Sequence, residues 1–205
     1  MSPSSTGRRA EYARLTQTAI VSAARELFAE HGYFATTVNQ IAERARVAPA
    51  TVYAVCGGKQ GLLGTLVDQW STAPIVSERA ALIEDTRDPN EVMRLTGQVV
   101  ADMRVRYGDI IATVRGVAPH DPAVADSLRV ATRRYRDALD AVATHLDELG
   151  CLGPDIDLAT AADIIWFYFG YTGLATLVQD NGWSFDHARD WLVSQAAHAL
   201  GMASS

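Results

Sequence analysis

The sequence predicts an all-α protein of about nine helices, with a small N-terminal head carried on a larger helical body. Three observations lead there. No stretch sustains the apolar–polar alternation of a strand. Helix start signals recur, as in Asp88-Pro89-Asn90-Glu91 and Asp121-Pro122, with glycines placed to end what they begin. The 205 residues are 48% hydrophobic, enough for one large domain or for a head and a body.

Taken in order, residues 1–11 read as a flexible tail, Ser/Pro/Gly-rich over Met1 to Arg9. A first helix runs from about Tyr12 to His31, with Ile20, Ala24, Leu27, Phe28 and His31 on one face and Gly32 as a left-handed cap. A second opens at Thr36-Thr37, where Thr37 and Gln40 have capping-box spacing, and ends near Ala45. Pro49 fits the first position of a third helix, although Ala48 before it is an N-cap about 1 kcal/mol weaker than Ser. Gly57-Gly58 breaks the chain, and a fourth helix follows from about Lys59 to Trp70. In the body, helices are expected from Asp88 to about Tyr107, from Asp109 to Val117, and from Asp121 to Leu149. Two more run from Asp157 to about Asp180 and from Ser184 to about Leu200. The expected division is a head over 12–58 and a body over 59–205.

The net charge of -6 is unevenly spread. Residues 1–60 hold seven basic groups (Arg8, Arg9, Arg14, Arg25, Arg44, Arg46, Lys59) and four acidic ones, a net +3, which leaves -9 on the remainder. A basic head on an acidic body confines attraction for phosphate to one end of the chain. Cys56 and Cys151 lie far apart with no CxxC or Cys/His grouping, which argues for reduced thiols over a disulfide or metal site. The N-terminus lacks the apolar stretch of a signal peptide. The longest apolar run, Ile164 to Val178, is glycine-interrupted and short for a bilayer, so it reads as a buried helix. A cytoplasmic protein with no membrane partner and no cofactor is expected.

Thr37 to Lys59 carries the most information. A short helix with Val38, Ile41, Ala42 and Ala45 on one face runs through Arg46-Val47 into a second short helix at Pro49, the outline of a helix-turn-helix. Small Ala42 permits a close crossing, and Val47 and Val52 can pack inward on Ile41 and Phe28. The ordered set Ala24, Leu27-Phe28, Gly32-Tyr33, Thr36-Thr37-Val38, Ile41-Ala42, Ala45, Val47, Thr51-Val52-Tyr53, Lys59 and Leu62-Leu63 resembles the TetR family of transcriptional regulators over about fifty residues. The chain departs from that pattern at Ala48 (usually Ser), at Val55-Cys56 (often an aromatic pair) and at Gln60 (usually acidic).

The resemblance implies double-stranded DNA as partner, on a palindromic operator bound by a homodimer. Thr36 and Thr37 suit a phosphate oxygen beside a helix N-terminus. The Tyr53 hydroxyl and the Lys59 ammonium would also hold the backbone. Base reading falls to Pro49, Ala50 and Thr51, small groups suited to thymine methyls, with Gln40 and Arg46 in reach. Arg8 and Arg9 are either a minor-groove arm or a solubilising tail. The bland readings stand beside these: Thr37 as a cap only, Tyr53 as a half-buried core residue, Lys59 as a solvated surface charge.

For the body, the resemblance implies a small-molecule effector that releases a repressor from DNA. Candidate contacts are Trp70, Met103, Tyr107, Tyr135, Trp166 and Phe169, with Arg104 and His120 as polar contacts and plain core packing as the alternative for each. The helix around Asp163 to Gly170 is apolar on all sides. A homodimer through the last two helices would cover one side, with Gly170 and Gly173 permitting close approach. Two other classes fit less well. An enzyme lacks support: HExxH is absent, and Gly58-Lys59 lacks the earlier glycine and the Ser/Thr of a P-loop. A helical interaction module explains the apolar helix but leaves the ordered helix-turn-helix set unexplained.

Overall fold

A computed structural model describes residues Ser5–Met202, all of whose regular structure is helical. The N-terminal helices are α1 (Ser5–His31), α2 (Val38–Ala45), α3 (Pro49–Cys56) and α4 (Gly58–Ser71). Then come α5 (Pro74–Asp85), α6 (Pro89–Val117), a 3-10 turn at Ala118–His120, α7 (Pro122–Glu148) and α8 (Leu158–Phe169). The chain closes with the short α9 (Gly173–Ala175), a π-turn at Thr176–Asp180 and α10 (Phe185–Ala199).

Four expectations are revised by this order. Helix α1 begins at Ser5, so Arg8 and Arg9 lie on helical backbone and not on an extended arm. The first four residues of the expected tail, 1–4, lie outside the described residues. Helix α5 had no sequence signal beyond Pro74 at its first turn, because its N-cap Ala73 makes no side-chain bond. The two helices expected around Gly108 are one, because nothing crowds that glycine and the ladder runs through it. The single helix expected to Asp180 instead stops at Phe169. Gly170 turns extended there (ψ -163), and a Cβ on it would stand 2.5 Å from the Trp166 carbonyl oxygen. By length and composition alone, Leu158–Asp180 could cross a membrane. Its backbone breaks at Gly170, and Ile165, Phe169, Leu174 and Leu177 pack into the core of the second unit.

The chain forms two compact units. The first comprises Met1–Ser71 with Tyr107–Ala131, the second Thr72–Arg106 with Thr132–Ser205. The unit that holds the helix-turn-helix therefore takes in more than residues 12–58. Ile20, Ala24, Leu27 and Phe28 of α1, Ile41 and Ala42 of α2, Val52 of α3 and Leu62, Leu63 and Leu66 of α4 are all buried in it. Arg25 on α1 grips Asp109 in the same unit with two bonds, Nε to Oδ2 at 2.6 Å and Nη2 to Oδ1 at 2.7 Å. The second unit packs Met93, Leu139, Leu146, Ile165, Phe169, Leu192 and Leu200 into one core.

In that second unit the break after α8 frees two carbonyls at buried depth. Tyr135 donates its hydroxyl to Phe169 O, and Arg104 donates from Nη2 to Gly170 O at 3.0 Å. Arg104 is only 9% exposed, and its guanidinium also lies 5.4 Å from the Tyr171 ring centre. The helix terminus is thus closed by side chains, as a buried terminus must be.

Candidate nucleic-acid interface

Local chemistry sets the two short helices. Thr37 caps α2: its Oγ1 accepts the Gln40 N–H at 3.3 Å, while Gln40 Oε1 accepts the Thr37 N–H at 2.8 Å. Both halves of the capping box are closed. The far end of α2 stops at Arg46, the one non-glycine residue with positive φ (56°) among those described. Its N–H bonds Glu43 O, and the next one, of Val47, bonds Ala42 O at 2.9 Å, which aims the chain into α3. Pro49 then starts α3, and Ala48 supplies no side-chain cap.

With Ile41, Ala42 and Val52 turned inward, the outer side carries most of the expected contacts. Thr37, Gln40, Arg46, Pro49 and Ala50 are exposed, Thr51 and Lys59 are half-buried, and Tyr53 is 60% exposed. Thr36 is placed otherwise. It is 1% exposed, and its hydroxyl lies 3.1 Å from Leu27 O and 2.8 Å from Gly32 O, so it closes the turn from within. Two left-handed glycines, Gly57 and Gly58, carry the chain from α3 into α4. A Cβ at Gly58 would come within 3.0 Å of the Tyr53 ring, so Tyr53 lies against the start of α4, one residue from Lys59.

Sequence reasoning gave Tyr33 no role. Its ring lies 4.4 Å from Lys59 Nζ, and burial pushes that ammonium below its usual range. Tyr33 itself packs on Phe28 (5.1 Å between ring centres) and edge-on to Phe34 (5.4 Å). Burial, with the Asp121 charge second, raises its phenol. Phe34, 64% exposed, in turn meets the His120 ring edge-on at 5.7 Å. Because 26 residues separate Tyr33 from Lys59, no local spacing could announce their contact.

The head's charges divide into two groups. Arg44 binds Glu30 at 2.8 Å and Glu26 at 3.3 Å, and Arg25 binds Asp109, so these arginines are locally neutralised. Arg46 is exposed, and Lys59 is half-buried against the Tyr33 ring.

The body candidates fall into different units. Trp70 and Tyr107 belong to the first, the former buried and the latter 5.9 Å from the Arg25 guanidinium carbon. Met103, Tyr135, Trp166 and Phe169 belong to the second. There the rings of Tyr135, Trp166 and Tyr171 meet pairwise at 5.5–5.7 Å, while Phe169 is core. Of the two polar candidates, Arg104 is spent partly on Gly170 O and His120 lies against Phe34 in the other unit. Gly170 and Gly173 serve a tight fit inside their own chain. A Cβ on Gly173 would approach Tyr168 O to 2.6 Å.

Two short helices joined through a left-handed turn, with the second presenting small groups outward beside a tyrosine and a cation, define a helix-turn-helix DNA-binding regulator. The family model "Bacterial regulatory proteins, tetR family" matches residues 20–66. An uncharacterized HTH-type transcriptional regulator of Bacillus subtilis, YvkB, is 40% identical over 73 residues, 36% of each chain. A second from the same organism, YdeS, is 28% identical over 166 residues, 78% of this chain and 79% of that protein. The match to YvkB thus spans about a third of that protein's length, and the match to YdeS most of it. Among solved structures, FadR from Bacillus subtilis in complex with stearoyl-CoA superposes with a TM-score of 0.73 at 18% identity, over 89% of this chain and 98% of that one. Residues 20–66 thus match the TetR family of transcriptional regulators, and the fold of the chain is similar to that of the FadR regulator.

Proposed function

We propose that the protein is a ligand-responsive repressor. Its dimer binds a palindromic operator, and a small-molecule effector favours a state whose heads no longer match the half-site spacing. The observation that carries the DNA-binding part is the common exposure of Thr37, Gln40, Arg46, Pro49, Ala50 and Tyr53, with Lys59 beside them, above an inward-facing Ile41, Ala42 and Val52. Tyr53, Lys59 and Thr37 hold phosphates in this reading. Pro49, Ala50 and Thr51 meet base edges, with Gln40 and Arg46 at the margin. Site of action and chromosome then share one compartment, the cytoplasm.

Effector response is supported by FadR, whose similar fold holds stearoyl-CoA. In this chain the aromatic group Tyr135, Trp166 and Tyr171, with Met103 in the same unit, is where such a ligand would be met. Dimerisation through α8 and α10 is supported by large apolar side chains left in solvent there: Phe167, Leu158, Trp191 and Phe185.

The test starts with a duplex selected by the protein from a random-sequence pool. A gel shift on that duplex should weaken steeply with salt. Addition of the cognate compound from a panel of acyl thioesters, fatty acids, metabolites and drugs should release the protein in proportion to concentration. A protein that selects no duplex, or a complex that no compound in the panel disturbs, counts against the respective half of the proposal.

A further inference from the structure

We infer that Tyr33 is a positioning residue for the DNA contact of Lys59. Its ring face holds the ammonium in place before DNA arrives. The inference rests on the reading of Lys59 as a phosphate contact and adds a residue that this reading does not contain.

Three observations carry it. Lys59 Nζ stands 4.4 Å from the Tyr33 ring centre, within cation–π range. Tyr33 is itself fixed, wedged between buried Phe28 and the ring of Phe34. The backbone below Lys59 is fixed as well, since Gly57 and Gly58 both take left-handed φ (69° and 74°) and the Tyr53 ring fills the space at Gly58. A lysine is a flexible, strongly hydrated point charge, and ordering its four-carbon stem costs entropy on binding. Stacked on a wedged ring, Lys59 has already lost much of that freedom and some of its water. The ring also sets where the charge sits relative to Tyr53, so the two groups present one fixed pair to consecutive phosphates.

A peculiarity of the sequence makes the test clean: Lys59 is the chain's only lysine. Reductive methylation with ¹³C-formaldehyde therefore gives one side-chain dimethylamine resonance, read by NMR on the full-length protein without DNA. In the wild type that resonance should lie upfield of a free dimethyl-lysine, shifted by the ring face. Tyr33→Phe should keep the shift and Tyr33→Leu should lose it. Affinity is then measured on the duplex selected by the wild-type protein. Tyr33→Leu should weaken binding by roughly two- to fivefold, the range of an exposed cation–π contact, and Tyr33→Phe should not. Lys59→Gln should reduce the salt slope by about 0.9 for each phosphate it no longer neutralises. In the Lys59→Gln background, Tyr33→Leu should add nothing further.

A dimethyl-lysine resonance at its free position in the wild type overturns the inference, whatever the DNA results. So does an equal penalty for Tyr33→Leu with and without Lys59, which would make Tyr33 a support for the head alone. Were Tyr33→Leu to unfold the head, the wild-type resonance and its retention in Tyr33→Phe would still decide. A ring-shifted lysine together with an unchanged slope in Lys59→Gln would instead overturn the phosphate reading on which the inference rests.

Discussion

Of the three glycines in helix α4, replacing Gly61 and Gly64 by alanine should have opposite effects. A Cβ on Gly61 would fall 1.9 Å from the Cys56 carbonyl oxygen, a backbone atom that cannot step aside. Gly64, inside the same helix, meets nothing within 4 Å. Gly61→Ala should lower stability by about 1–3 kcal/mol, as overpacking does, while Gly64→Ala should raise it by about 1 kcal/mol through helix propensity. Thermal unfolding of the two variants beside the wild type checks both signs. At this scale, signals that act within four residues were legible from the sequence. The Thr37–Gln40 capping box, Pro49 at the first turn and the weak cap at Ala48 all stand as expected. Thr36 was not legible, because its hydroxyl is committed to Leu27 O, nine residues back and brought near only by the Gly32 turn. Tyr33 escaped for the same reason, its partner Lys59 lying a whole motif away.

Between elements, a long-range polar tie inside the first unit is the two-bond pair of Arg25 and Asp109, 84 residues apart. Burial pushes the Asp109 carboxyl upward, but the hydrogen bond and charge of Arg25 outweigh it and hold the net value below the usual range. Arg25 is correspondingly raised, first by its bond to Asp109. A depressed carboxylate stabilises the fold above its unfolded pKa, about 3.9, and that contribution is lost as pH falls through the folded value. Asp109→Asn should therefore melt below the wild type at pH 7, with the gap closing below about pH 4. Paired melts at pH 7 and pH 3 measure it, and a gap that persists in acid would show that the ion pair is not its source. Elements were read less evenly than residues. Gly108 and Gly170 look alike in a sequence, yet the first leaves α6 unbroken and the second ends α8. At Gly170 the carbonyls freed by the break receive hydrogen bonds from Tyr135 and Arg104, and such distant donors are invisible to periodicity.

For the whole molecule, the prediction with the widest consequence concerns assembly. Phe167 is 72% exposed on α8, an unusual position for a phenylalanine beside a core helix face. If the proposed dimer forms through α8 and α10, Phe167→Glu should sediment as a monomer with its helical circular dichroism unchanged. Its affinity for the selected duplex should fall at least about tenfold, or about 1.4 kcal/mol. A dimeric Phe167→Glu would move the interface elsewhere. The all-α class was open to sequence reading because it depends on patterns summed along the chain. The membership of the two compact units was not, because residues 107–131 join the head's unit through contacts that begin far upstream.

That discontinuity has a consequence for the order of synthesis. A ribosome makes the chain from its N-terminus, so the helix-turn-helix emerges with α1 and α4 while Asp109 and His120 are still untranslated. Arg25 and Phe34 must wait for partners that appear only after α5 and most of α6 have been made. The DNA-binding unit is finished late, though it begins first, and cutting the gene after Ser71 would release a head lacking part of its own fabric.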